Sequence, residues 1–267
     1  MKSVNTLFAI IISAFLINAC DSTTESLPED DALLFPVSPG SWWAYTAWEI
    51  YPNGDWISGS ETRDSLCIIS DYTYNDTAGA VFGHFVDGAI ADSMIFAQMG
   101  DYILELHDNL FDIDLTQREW MPIIDLATTD TYVIRTFRNR NYAIKFGDST
   151  VHGYMQGVWK GVYEHDQIFE INGRNINTRY YSLTFDTRFD FDLLYKTDSG
   201  NVEKVLITRY RKPIIGIWLA DGVGIVRYQQ NGFTETWRPA RPNPAFDGYT
   251  IPVNGRLMIL ENYNIGG

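Results

Sequence analysis

Turns are the feature of this sequence that most constrains its fold. Four Asn-Gly pairs lie between segments rich in β-branched and aromatic residues, and they begin at Asn53, Asn172, Asn231 and Asn254. Asn and Gly accept the positive φ angles of type I′ turns, whose twist matches that of paired antiparallel strands. Further turn candidates are the Asp-Gly steps that begin at Asp87, Asp221 and Asp247. These turns predict a series of antiparallel hairpins.

Alternating polarity between the turns indicates strands with one buried and one solvent-exposed face. Tyr181, Leu183 and Phe185 alternate with polar residues, and Phe189 and Phe191 continue the pattern. No long segment after residue 34 has the periodicity of a helix. Strands of about six residues would number roughly ten to fourteen. The sequence therefore predicts an all-β, mostly antiparallel curved sheet, and it leaves open whether that sheet is a half-barrel, a closed barrel or a sandwich.

The N-terminal residues have the layout of a secretory signal peptide. Lys2 precedes an apolar run at residues 7–17, which is shorter than the roughly 20 residues that a membrane-spanning helix needs. A positive start, a short apolar core and a small residue before the cleavage site define such peptides. The small residue here is Ala19, and Cys20 follows it.

The tetrapeptide INAC, which ends at Cys20, resembles the lipobox of bacterial lipoproteins. The resemblance implies that residues 1–19 are removed and that Cys20 carries lipid such as palmitate, which would anchor the protein to an inner or outer membrane of a bacterial cell envelope. The alternative is a plain secretory signal with an incidental cysteine. Residues 20–34 are polar and acidic, which is typical of a flexible tether. Residues 35–267 would then form a single all-β domain.

Composition and motifs exclude several functions. The net charge of −14 argues against a nucleic-acid partner, because binding to phosphates requires concentrated Lys and Arg. The four histidines are scattered, and the sequence lacks HExxH, GxSxG and GxxxxGK motifs. We therefore expect no cofactor and favour a non-catalytic protein. The alternative is an envelope hydrolase that acts on glycans through paired carboxylates.

Two sets of residues are candidates for binding sites. Asp186, Asp190 and Asp192 form an acidic cluster whose oxygens would suit calcium, although a solvated strand face explains them equally well. Exposed aromatic rings stack on sugars or line apolar clefts. Of the eight tryptophans, Trp56 and Trp237 adjoin polar turn segments, so we expect these two to be exposed and available to a ligand.

Two short motifs near the ends of the predicted domain resemble a group of poorly characterised bacterial exported lipoproteins. The first, PGSWWAY, includes Pro39, Trp43 and Tyr45, and the second, GVGIV, includes Gly222 and Gly224. The resemblance implies a curved antiparallel sheet, in some cases like that of lipoprotein carriers, and it supplies no catalytic residues to carry over. Trp43 and Tyr45 share one face of a strand, and Gly224 indicates a bulge or a close packing contact.

The sequence thus favours a membrane-anchored envelope lipoprotein with a binding or structural role. Its ligand would be a lipid-like molecule, a glycan or a protein partner. An apolar groove would favour binding, whereas a cleft with two facing acids would favour the glycan hydrolase.

Overall fold

The computed structural model describes residues 35–108, 118–146, 149–196, 200, 202–241 and 248–266, in which fifteen β-strands form one sheet. The strands are β1 (Trp42–Ile50), β2 (Thr62–Tyr74), β3 (Thr77–Val86), β4 (Ala89–Met99), β5 (Tyr102–Asp108), β6 (Arg118–Asp125), β7 (Thr131–Phe146), β8 (Ser149–Ile171), β9 (Arg174–Lys196), β10 (Val202–Arg211), β11 (Ile214–Ala220), β12 (Gly224–Gln230), β13 (Phe233–Pro239), β14 (Tyr249–Val253) and β15 (Gly255–Asn264). None of the described residues is helical, and none belongs to a helix that could span a membrane. The predicted all-β fold is confirmed, with one strand more than the largest number expected.

The sheet divides at β9. Its strands pair in the order β14-β13-β10-β9-β11-β12-β15-β1-β2-β3-β4-β5-β6, while β7 pairs with β8 and β8 with β9. Because β8 occupies one edge of β9, the other edge is shared, so that β11 pairs with residues 178–184 and β10 with residues 187–196. We call β11, β12, β15 and β1 to β6, with the adjoining residues of β8 and β9, the body. We call β10, β13 and β14, with the adjoining ends of β7, β8 and β9, the extension.

The body is a curved antiparallel sheet that forms a half-barrel, which decides among the three architectures that the sequence left open. Strands far apart in the sheet order contribute to one hydrophobic core, in which Phe82 and Ile124 lie with Leu183 and Leu219. Tyr181 and Leu183 are buried as the alternation predicts, and Phe189 and Phe191 lie in a second, smaller cluster in the extension. The two clusters share one face of β9, since all four residues have odd numbers.

The turns only partly follow the sequence prediction. Asn172 and Gly173 join β8 to β9 and both have positive φ, as a type I′ hairpin requires. The Asp87-Gly88 step does the same between β3 and β4. By contrast, the pairs at Asn231 and Asn254 join strands that do not pair with each other, so the hairpins predicted there are wrong.

Close backbone packing explains the glycines of those two pairs. A Cβ atom on Gly255 would lie 2.0 Å from the carbonyl oxygen of Gln230 and 2.5 Å from the nitrogen of Gly232. Gly232 in turn lies against the backbone of Pro52. These glycines are therefore required by contact between separate chain segments, which a local turn motif does not reveal.

Candidate functional site

A cavity of about 280 Å³ lies inside the half-barrel of the body. Side chains from β1 to β6 and from β9, β11, β12 and β15 line it, among them Leu66, Phe82, Ile103, Leu183, Ile217 and Met258. Its volume is near the lower end, about 300 Å³, of the usual range for small-molecule sites. The polar side chains in the lining are those of Tyr45, His84, Glu105, Tyr228 and Arg256.

The polar residues lie at one end of the cavity because of strand periodicity. On four strands, a buried apolar residue and a polar residue two positions away share the inner face. The pairs are Leu66 and Asp64 on β2, Phe82 and His84 on β3, Ile103 and Glu105 on β5, and Met258 and Arg256 on β15. From the apolar to the polar residue, the numbering decreases on β2 and β15 and increases on β3 and β5. Because β2 and β15 run antiparallel to β3 and β5, all four polar residues lie at the same end of the sheet. We call this region the polar end and the opposite region the apolar end.

Aromatic rings close the apolar end. Phe35, which is 4% exposed, has its ring centre 5.6 Å from that of Phe82 and 5.7 Å from that of Phe96. Its backbone nitrogen donates a hydrogen bond to Gln98 Oε1 at 3.1 Å. The chain therefore enters the body at the apolar end, and Phe35 is fixed there by both packing and hydrogen bonding.

The two motifs that resemble exported lipoproteins meet beside this end. Trp43 Nε1 donates a hydrogen bond to the carbonyl oxygen of Val223 at 2.6 Å, and the Tyr45 hydroxyl donates to that of Ile225 at 2.8 Å. Gly224 has a φ of +93°, and a Cβ there would contact Pro36 and Trp43 at 3.4 and 3.6 Å. These are ordinary van der Waals distances, so the positive φ rather than unusually close packing favours glycine at position 224. Burial raises the pKa of Tyr45, so its hydroxyl stays a donor.

A buried carboxylate organises the polar end. Asp64 is 2% exposed and accepts hydrogen bonds at Oδ1 from Arg256 Nη2 (2.6 Å) and from Thr62 (2.8 Å), and at Oδ2 from His84 Nε2 (2.8 Å). Burial by itself raises the pKa of Asp64, but the bonds from His84, Arg256 and Thr62 outweigh it and bring the pKa below its ordinary value. At neutral pH Asp64 is thus an anion that holds Arg256 and His84 in place.

Glu105 and Tyr228 complete the polar end. Glu105 Oε2 lies 3.0 Å from His107 Nε2, and both side chains are about a quarter exposed. The Tyr228 hydroxyl donates to Gln230 Oε1 at 3.2 Å. Burial, with a further contribution from the charge of Glu105, raises the pKa of Tyr228 to about 12. The polar end thus presents the hydroxyl of Tyr228, the carboxylates of Asp64 and Glu105, the guanidinium of Arg256 and the imidazole of His84, with His107 beside Glu105.

This arrangement suits binding better than glycoside hydrolysis. A general acid needs a carboxyl whose pKa is raised towards neutrality. The pKa of Asp64 is lowered instead, and both its oxygens already accept hydrogen bonds. Among the described residues that line the cavity, Glu105 contributes the one carboxylate. The pair of facing acids that the hydrolase alternative requires is not found in this lining.

Neither tryptophan selected from the sequence lies at the cavity. Trp56 is 59% exposed, as expected, and stacks on Trp48 with ring centres 5.0 Å apart. Trp237 is 7% exposed, so the expectation that it is exposed is wrong. It packs edge-on against Phe191 and donates from Nε1 to Glu235 Oε1 at 2.6 Å, because it faces the cluster of the extension rather than the polar segment that follows it.

The three aspartates of the calcium candidate lie on the outer face of β9. Asp190 accepts hydrogen bonds from Arg188 and Thr208, and Asp192 lies 2.7 Å from Lys204 Nζ. Within the described ranges, no three His, Cys, Asp or Glu side chains come together as metal ligands would. The geometry therefore favours the solvated strand face over calcium.

The lipidation candidate Cys20, with the signal peptide and the tether, lies outside the described residues.

The polar end was not predicted from the sequence, although the sequence contains a pattern that indicates it. Asp64, His84 and Arg256 each interrupt an otherwise apolar inner face, as in D-S-L-C-I, F-G-H and R-L-M-I-L. Three such interruptions indicate a shared polar site only once the strand order is known.

No protein-family model and no curated protein matches this chain. Two solved structures resemble it over 88% of its length and over their whole described length. One is a candidate lipoprotein from Parabacteroides distasonis, with a TM-score of 0.44 and 10% identity. The other is a candidate exported protein with a YmcC-like fold from Bacteroides fragilis, with a TM-score of 0.37 and 11% identity. Similarities this weak carry no argument about function.

Proposed function

We propose that this protein is a cell-envelope lipoprotein, anchored through Cys20, whose half-barrel binds a lipid-like molecule in the cavity of the body. The observation that carries the proposal is the cavity itself, because an apolar space with a few convergent polar groups is the usual form of a small-molecule site. Burying an apolar chain there is favourable by about 25 cal/mol per Å² removed from water.

Filling the cavity tests the proposal. Met94 lines the cavity from β4 and is only half-buried, so Met94→Trp can occupy the space without forcing the tightly packed core. Met99 ends the same strand and is 55% exposed, which makes Met99→Trp a matched control. We expect the neutral apolar probe N-phenyl-1-naphthylamine to bind the wild type and Met99→Trp, and Met94→Trp to lose at least about tenfold in affinity, which is roughly 1.4 kcal/mol.

Both variants must unfold at similar urea concentrations for the comparison to count. Equal binding of the probe by both variants would show that the probe occupies another site and would contradict the proposal. Organic extracts of protein purified from the producing cells, examined by mass spectrometry, should contain an amphiphile with the wild type and much less of it with Met94→Trp.

The anchor needs its own test. Cys20→Ala removes the thiol that lipid would modify, so the protein should move from the membrane fraction to the soluble fraction. Stable anchoring requires more than one acyl chain, which a multiply acylated cysteine supplies. Absence of radiolabelled fatty acid from the wild-type protein would overturn the anchor while leaving cavity binding untouched.

A further inference from the structure

We infer that the ligand of the cavity is a single-chain amphiphile with an uncharged, hydroxyl-bearing head, bound with its chain towards Phe35 and its head at the polar end. The inference rests on the proposed function and adds the class and orientation of the ligand. Three features of the cavity support it: the exposure of its two ends, the charge at the polar end and the hydrogen-bonding groups there.

Exposure differs between the two ends. At the apolar end Phe35, Trp43 and Phe82 are almost completely buried, and their rings pack together. At the polar end the side chains of His84, Glu105 and Arg256 are 17%, 25% and 27% exposed. The cavity therefore meets solvent at its polar end. An amphiphile can keep its head hydrated there only if the apolar chain points towards Phe35.

Charge at the polar end disfavours an anionic head. If His84 and His107 are counted as neutral, the polar end has one net negative charge, because it holds the carboxylates of Asp64 and Glu105 and the single guanidinium of Arg256. The bidentate contact with Asp64 already neutralises Arg256. A fatty-acid carboxylate would add a second uncompensated negative charge in a site partly shielded from water, where like charges interact strongly.

A cationic ammonium head can only donate hydrogen bonds, so it would satisfy Glu105 but would leave Arg256, which lines the same end of the cavity, without an acceptor. A head that both donates and accepts hydrogen bonds fits both groups. Arg256 Nη1 and Glu105 Oε1 have no hydrogen-bond partner among the described residues, so one can donate to a ligand oxygen and the other can accept from a ligand hydroxyl. A glycerol head has this combination of groups.

The test compares three ligands that share a twelve-carbon chain: monododecanoylglycerol, dodecanoate and dodecylammonium. Each displaces N-phenyl-1-naphthylamine from the full chain carrying Cys20→Ala, at pH 8 and below the micelle-forming concentration. We expect monododecanoylglycerol to bind at least about tenfold more tightly than either ion, which corresponds to roughly 1.4 kcal/mol.

Glu105→Gln separates charge from shape. The variant removes the net negative charge but keeps a hydrogen-bonding side chain of the same size, so the preference for monododecanoylglycerol over dodecanoate should fall several-fold. Glu170→Gln, an exposed position on β8, makes the same change in net charge and should leave the preference unaltered.

Each result has one meaning. Tighter binding of dodecanoate or of dodecylammonium overturns the uncharged head but leaves the lipid-binding function standing. A preference that survives Glu105→Gln overturns the assignment of the head to the polar end. If the probe and all three ligands fail to bind, the proposed function fails together with this inference.

Discussion

The body and the extension each bury a carboxylate against an arginine, but in different settings. In the body, Asp64 contacts Arg256 beside a cavity that meets solvent. In the extension, Glu235 accepts two hydrogen bonds of 2.7 Å from Arg209, and the guanidinium of Arg209 lies 5.3 Å from the ring centre of Trp237. The pair in the extension is thus covered by an aromatic side chain, whereas the pair in the body borders open space.

Under the proposed function the two ion pairs have different roles. A buried ion pair adds little net stability by itself, because desolvation offsets the attraction. In the extension the pair satisfies the polar groups of a tightly packed cluster. In the body it orients Arg256 and His84 towards a cavity, so we assign ligand recognition to the body and a structural role to the pair in the extension.

The largest effect is expected from Trp43, which fixes the first strand of the body. Trp43→Ala removes a buried ring and its hydrogen bond to Val223, and should lower the free energy of unfolding by roughly 3–5 kcal/mol in a urea titration. Trp56→Ala, at an exposed position, should cost less than about 1 kcal/mol. Equal costs would mean that the contact between the two terminal motifs does not stabilise the body.

The two arginines allow the contrast to be tested directly. Arg256→Met leaves Asp64 buried with fewer donors and should cost about 2–4 kcal/mol, and Arg209→Met should cost a similar amount for the same reason. Only Arg256→Met should weaken the binding of monododecanoylglycerol. Equal weakening by both variants, measured by displacement of the naphthylamine probe, would contradict the assignment of recognition to the body.

Acid should destabilise both regions through these carboxylates. Hydrogen bonds from the arginines and their neighbours outweigh burial and lower the pKa of Asp64 and of Glu235 below their ordinary values of 3.8 and 4.5. The stability that each carboxylate contributes is therefore fully present above its ordinary pKa and is lost as pH falls through the lower folded-state pKa. Urea midpoints measured from pH 7 down to pH 2 should fall less steeply for the double variant Asp64→Leu with Arg256→Met than for the wild type.

The smallest effect is expected on the outer face of the extension. Changing Asp190 and Asp192 together to Asn should alter the free energy of unfolding by no more than about 0.5 kcal/mol, because these partly exposed pairs contribute little. Calcium should leave the urea midpoint of the wild type unchanged. A calcium-dependent rise that disappears in the double variant would restore the aspartates as a metal site.

Local patterns in the sequence were sufficient to predict the type of fold and the side chains on the inner face of β9. Alternation placed Tyr181, Leu183, Phe189 and Phe191 on one buried face, and the structure confirms all four. Side chains alternate strictly along a strand, so this information is local. The Asn172-Gly173 hairpin was predictable for the same reason, since its two residues determine the turn.

Contacts between distant segments decided the rest. Gly232 and Gly255 are required by backbones that approach each other after folding, and Trp237 is buried by strands far from it in the sequence. The polar end depends on Asp64, His84 and Arg256, which come together only because β15 and β1 lie side by side in the curved sheet. The sequence by itself determined the strands and which side chains share a face, because those follow from local periodicity. Only the tertiary structure decided which faces enclose the cavity, because strand order and curvature depend on pairing such as that of β1 with β15, whose paired residues are more than two hundred positions apart.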